Sequence, residues 1–227
     1  PPELRRRVLK ARRKSGRPCF WEPTLDAHVY IDGFNLYYGA LKGTPYRWVN
    51  LAELCRHLLP RDRIHRIRYF TARVTSLPHD PGQPARQQVY LRALATLPDV
   101  EIHFGQFLSH VVKMPLADGS GMAEVIKAEE KGSDVALATH MVHDAHKGDY
   151  DTAVIISNDS DLVAPIRVVR RELGKQVGLV SPHKRASAAL VAEVGFVKHI
   201  KRRVLQASQF PDTLTYSRGV FHKPASW

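Results

Sequence analysis

The sequence predicts an α/β domain: a mostly parallel central sheet with helices on both faces. Three observations carry that expectation. Short β-branched runs at 28–31, 64–72, 153–156 and 177–180 alternate with stretches of helical periodicity, the order that crossover helices between parallel strands produce. Two of the runs empty into acids, at Asp32 and at Asp159 with Asp161. In open α/β sheets ligands bind beyond the carboxyl ends of the strands, so two parallel neighbours built this way would set their acids side by side.

The elements follow in order. Residues 36–41 suit a short helix ended by Gly43 and Pro45. Asn50-Leu-Ala-Glu53 reads as a capping box, and Leu51, Leu54, Cys55 and Leu58 continue at helical spacing. A strand at 64–72 is followed by a proline-rich loop, a helix carrying Gln87, Tyr90, Leu91, Leu94 and Leu97, and a strand through Val100, Ile102 and Phe104. Asp118-Gly-Ser-Gly121, between two mildly apolar runs, reads as a hairpin or flap over 109–126. A helix from Ser133 carries Asp134, Ala138, Met141, Val142 and Ala145 on one stripe. After the central strand, Leu162, Ile166, Val169 and Leu173 form another stripe, stopped by Gly174. The strand at 177–180, a helix at 186–194 and an edge strand at 196–200 complete the domain over 27–201. Residues 1–26 form a basic arm, and 202–227 an irregular tail packed on the domain.

Composition narrows the partners. The 227 residues carry a net charge of +12, which points to a polyanion, nucleic acid before an anionic membrane surface. The arm, with Arg5, Arg6, Arg7 and Arg12, serves either as a nucleic-acid clamp or as a solvated extension. Lacking an initiator Met, it is expected to continue upstream. Two cysteines, Cys19 and Cys55, have no metal-ligand spacing and read as reduced thiols. No apolar run nears the roughly 20 residues that span a bilayer, and no signal-peptide core follows the basic start. A soluble, cytoplasmic protein is expected, with homo-oligomerisation left open.

Asp32, Asp134, Asp159 and Asp161 are candidates for one site. Each has an ordinary use: an Asp-Gly turn for Asp32, a helix N-terminus for Asp134, a cap for Asp159 and Asp161. Their joint occurrence at strand and helix ends argues for more. Clustered carboxylates either hold protons at raised pKa or bind a cation, and oxygen-only ligation selects Mg²⁺ or Mn²⁺. In a basic protein such a site suits metal-assisted attack on a phosphodiester. Asn35 could orient water or a ligand, or make a structural bond at a turn.

Tyr30-Ile-Asp-Gly-Phe-Asn35, Glu130-Lys-Gly-Ser-Asp-Val135 and Ile156-Ser-Asn-Asp-Ser-Asp-Leu162 resemble the three signature blocks of the NYN domain, a PIN-like fold, and within it the LabA-like branch. The resemblance spans roughly 27–227 and takes in Gly174-Lys175 and the closing Lys-Pro-Ala-Ser-Trp. It implies a metal-dependent ribonuclease with Asp32, Asn35, Asp134, Asp159 and Asp161 around Mg²⁺. Two positions depart from the pattern. Asn158 stands where glycine is usual, and His140 where an acid is often found, which leaves the number of metals open.

Other features have plainer uses. His140, His143 and His146 drift around their helix and read as a solvated face rather than a zinc site. Phe34, Tyr37, Tyr38 and Trp48 could stack on bases, although aromatics next to a sheet more often fill core. Lys131 either meets phosphate or pairs with an acid. The sequence therefore supports a divalent-metal-dependent ribonuclease acting on RNA, with an RNA-binding module of weak or inactive nuclease site as the alternative. An aspartyl phosphatase ranks last, because Phe34 stands where such enzymes need a second acid.

Overall fold

The computed structural model describes residues 25–78, 80–216 and 219–227. The basic arm expected over 1–26 lies outside them but for its last two residues. Ten strands and seven α-helical segments follow in the described part. Six strands form the central sheet: β1 (Asp26–Asp32), β2 (Arg63–Thr71), β3 (Val100–Phe104), β6 (Thr152–Ile156), β7 (Gln176–Ser181) and β8 (Phe196–His199). Their spatial order is β3-β2-β1-β6-β7-β8, and every pairing is parallel.

The apolar runs explain this sheet. Every residue of β6 is buried, as a central strand covered on both faces requires. Val29, Ile31, Val154 and Ile156 project into one apolar layer with α2 (Leu51–Leu58), α3 (Gln83–Leu94) and α7 (Arg202–Ala207). Tyr30, Ala153 and Ile155 project into the other, against α4 (Ser133–Lys147) and α5 (Val163–Arg167). Gly178 of β7 lies beneath the ring of Phe196 on the edge strand, and a Cβ there would collide with that ring.

Local chemistry sets the helix ends. Asn50 caps α2, its side-chain oxygen accepting from Ala52 N at 3.0 Å and Glu53 N at 3.1 Å. The reciprocal half of the expected capping box is replaced by an ion pair of Glu53 with Arg56. The helix expected at 36–41 begins earlier, as α1 (Gly33–Leu36), and runs on as a π-helical turn, Tyr37–Leu41. That expected at 186–194 shrinks to α6 (Ala188–Val191). Asn158 takes the Ser187 amide at 2.7 Å at one end, and Glu193 turns to Arg167 and Arg171 at the other.

Two corrections concern appended segments. The hairpin expected over 109–126 is longer, β4 (Gln106–Pro115) paired with β5 (Met122–Lys131), and stands apart from the main sheet. The tail from residue 202 is not irregular. It forms α7 and an antiparallel pair, β9 (Thr213–Tyr216) and β10 (Gly219–His222). Trp48, weighed above as a base platform, is fully buried core instead. Phe210, Phe221 and Trp227 of the tail surround it at 5.5, 6.5 and 6.2 Å between ring centroids. Among the described residues no helix is long and apolar enough to cross a membrane.

Candidate active site

The chain builds outward from β1 to β2 and β3 on one side, and from β6 to β7 and β8 on the other. A crevice therefore opens between β1 and β6 beyond their C-terminal ends, the position where doubly wound sheets bind ligands. Ile31 pairs with Ile156 in register, so Asp32 and Ser157 leave the sheet together.

Asp32 is 3% exposed. One carboxylate oxygen accepts from Asn35 N at 2.9 Å, and the other accepts from Asn35 Nδ2 at 2.8 Å and Ser157 Oγ at 2.9 Å. Burial still holds its carboxyl above the usual range; these bonds oppose the rise and the Asp159 charge adds to it. Ser157, fully buried, also accepts from Asp159 N at 3.1 Å, so one hydroxyl ties the two acid-bearing turns together. Asn35 makes a second tie, its side-chain oxygen accepting from Asn158 N at 3.2 Å. Asp159 caps the 3₁₀ turn Ser160–Leu162 by accepting from Asp161 N at 3.0 Å, and the Asp161 side is exposed.

Asp134 comes from the first turn of α4 and is half-buried. Its carboxyl is pushed up to about 6, first by burial and then by the charges of Asp32, Asp159, Glu130 and Asp161. Carboxylates from β1, α4 and the turn after β6 thus share one field. Glu130 is the member that sequence reasoning passed over in favour of its neighbour Lys131. Its carboxylate accepts from Ser133 N at 2.9 Å and Ser133 Oγ at 2.7 Å, capping α4 where Gly132, at φ +93°, has no side chain to do so. An acid three residues before a serine that opens a helix was the available signal. Ser157 was also missed, and nothing in its strand-end position distinguishes it from any turn serine.

His140 belongs elsewhere: it is half-buried on α4, 4.3 Å from the His103 ring and 5.8 Å from Phe70. His143 and His146 are exposed. Asn158 has a specific use. Besides the Ser187 amide it holds Arg185 O at 3.3 Å, fastening the loop after β7 to the crevice in a way glycine cannot.

The donor set fits a hard divalent cation in charge and atom type, because every acid is a carboxylate and their repulsion calls for a counter-charge. Among the described residues, however, no group of three or more His, Cys, Asp or Glu side chains is arranged to hold a metal ion. The acids share a field without meeting at a point.

A model of the NYN domain matches residues 26–200, from the first residue of β1 to the residue after β8. The chain belongs to the NYN domain family. Membership suggests PIN-like nuclease activity. This NYN domain is also 31% identical over 236 residues to a Pseudomonas putida (strain DSM 28022 / S16) protein named 6-hydroxy-3-succinoylpyridine 3-monooxygenase HspA, covering 89% of this chain and 75% of that one. A solved structure of a protein of unknown function from Vibrio parahaemolyticus RIMD 2210633, VPA0982, matches with a TM-score of 0.52 at 16% identity, over 80% of this chain and 96% of that one. That likeness is one of fold.

Proposed function

We propose that this NYN domain is a ribonuclease dependent on Mg²⁺ or Mn²⁺ that hydrolyses RNA phosphodiester bonds at the crevice between β1 and β6. The observation that supports it best is the gathering of acids from separate elements around Asp134 at the topological switch of the sheet, where burial first and then their charges raise its carboxyl. Asp32, Asp134, Asp159 and Asp161 would hold the ion by closing on it from the separate positions they occupy here. When bound, a divalent cation activates water and stabilises charge developing on the phosphate.

The chain's own residues do the rest. Ser157 and Asn35 fix the Asp32 carboxylate through three bonds, so Asp32 reaches the crevice in one orientation. Asn35 has two donors and two lone pairs and uses one amide hydrogen and one lone pair on this frame. The remainder is free to meet substrate. The net charge of +12 favours RNA as the polyanion brought to these acids.

Asp159→Asn keeps the cap to Asp161 N and removes one charge. Cleavage of a labelled single-stranded RNA should fall on the order of a hundredfold or more, as expected when a few kcal/mol of transition-state stabilisation are removed. RNA retention on a filter should persist. Equal cleavage by both proteins, purified free of contaminating nuclease, would reject the reading; retention without turnover in the parent would favour an RNA-binding module.

One observation favours a second reading. Beside Asp32 lies a cavity walled by aromatic rings, and the relative named above acts, by its name, on a heteroaromatic acid. The chain could in that case serve a small ring substrate. Hydroxylation of such a substrate by O₂ and an added two-electron reductant, with RNA left intact, would establish it in place of the nuclease.

A further inference from the structure

The cavity next to the acids is lined by Phe34, Tyr37, Tyr69, Arg47 and Trp227, with Gly33 at the end nearest Asp32. It measures about 90 Å³; at roughly 10 to 15 Å³ for each water, that is room for roughly six to nine waters or one six-membered ring. Gly33 is glycine for a reason visible here. A Cβ would come within 2.7 Å of both the Tyr69 hydroxyl and Phe70 O. The backbone that follows Asp32 thus lies against the cavity wall.

The walls suit a planar ring. Tyr37 and Tyr38 sit on the π-helical turn that follows Asn35, packed edge to face at 5.2 Å, and Tyr38 is exposed at the mouth. Phe34 is backed by Phe107 of β4, with ring centroids 6.1 Å apart and planes 22° from parallel. A ring supported from behind keeps its orientation when a second ring stacks on it.

The wall also holds one poorly satisfied cation. Arg47 lies 5.8 Å over the Trp227 ring and donates from Nη2 to Ser226 O, yet its buried Nε has no hydrogen-bond partner. Arg86, by contrast, is paired with Asp80. Among the described residues no carboxylate pairs with Arg47. The guanidinium lines the cavity, and an anionic ligand oxygen is the natural complement of a cation that no carboxylate neutralises.

We propose that this cavity binds one unstacked planar ring bearing an anionic group, the ring against Phe34, Tyr37 and Tyr69 and the anion on Arg47. Resting on the nuclease reading, the ligand is one base of single-stranded RNA. Each nucleotide in RNA has a phosphate on either side, so one can lie at the acids while its neighbour faces Arg47. A free heteroaromatic carboxylate has the same chemistry.

The test is binding in EDTA, read by quenching of tryptophan fluorescence, with uridine 5′-monophosphate, ribose 5-phosphate and pyridine-3-carboxylate as probes. Uridine 5′-monophosphate should bind at least tenfold more tightly than ribose 5-phosphate. Arg47→Gln should weaken it by about tenfold, Arg47→Lys by less, and Trp227→Phe should remove most of the signal. Circular dichroism and melting curves establish that each variant is folded. Equal affinity for ribose 5-phosphate, or affinity insensitive to Arg47 in a folded variant, would overturn the proposal even if the protein cleaves RNA. Tight binding of pyridine-3-carboxylate alone, with RNA uncut, would keep the site and reject the nuclease reading.

Discussion

A buried carboxylate is tolerated only when its oxygens are satisfied, and two aspartates of this chain meet that condition in opposite ways. Burial holds Asp32 above the usual carboxylate range despite three donors, with the Asp159 charge adding to the rise; Asp144, on α4, sits among cations and donors and is held below that range. Burial raises Asp144, but the Tyr30 hydroxyl at 2.7 Å, Arg68 at 3.1 and 3.2 Å, and the nearby His28 outweigh it. His28 Nδ1, 3.5 Å from Asp144 Oδ2, is too distant for a good hydrogen bond and has no other partner. Arg68 continues the network to Glu101 at 2.9 Å. Asp144→Ala would leave the Arg68 guanidinium buried without its main partner. The expected cost is about 3 to 5 kcal/mol, with a melting temperature lower by roughly 2 to 4 °C for each. Asp144→Ala should leave RNA cleavage per folded molecule unchanged. A melting curve within a degree of the parent would show that the network contributes nothing.

At the scale of elements, the β4–β5 hairpin stands apart from the main sheet. An isolated two-stranded ribbon is marginal in water, and this one exposes Leu108, Val111, Met114, Met122 and Ile126. Its base is anchored by Phe107 on Phe34 and by Glu130 on Ser133. Replacing 109–128 by a short turn that keeps both anchors should therefore move the melting temperature by only a few degrees. A collapse of the fold would show that the ribbon belongs to the core. The same contrast explains what the sequence revealed. Strands such as 153–156 and stripes such as Leu162, Ile166 and Val169 were legible because their burial is periodic. The short α6 and the folded tail were not, because Asn158, Glu193 and Trp48 decide them through partners far along the chain. Asp32, Asp134, Asp159 and Asp161 could be named from strand and helix ends. Ser157 and Glu130 could not, since their roles exist only once β1, β6 and α4 are side by side.

Across the whole molecule, the acids at the crevice set a stability that depends on pH and cation. Asp134 titrates near 6 in the fold, above the 3.8 of an ordinary aspartate. Between those values the folded chain binds more protons than the unfolded one, so its stability falls as pH rises through that interval. Above about pH 6 the full repulsion is present. Asparagine has no charge to repel. In EDTA, Asp134→Asn should melt higher than the parent at pH 8, by roughly 2 to 4 °C for each kcal/mol relieved, and the gap should close as pH falls toward 4. The histidines act with the opposite sign. Burial lowers His28, His103 and His140, so the unfolded chain protonates first and both proteins lose stability as pH falls below about 6.5. That loss is common to both and cancels in their difference. Adding Mn²⁺ at pH 8 should stabilise the parent by about 2.7 kcal/mol at a hundredfold excess over its dissociation constant, and Asp134→Asn far less. Melting curves of both proteins at pH 5, 6.5 and 8, in EDTA and in Mn²⁺, measure every term. A parent indifferent to Mn²⁺, with Asp134→Asn melting lower at pH 8 in EDTA, would reduce these acids to turn and helix caps.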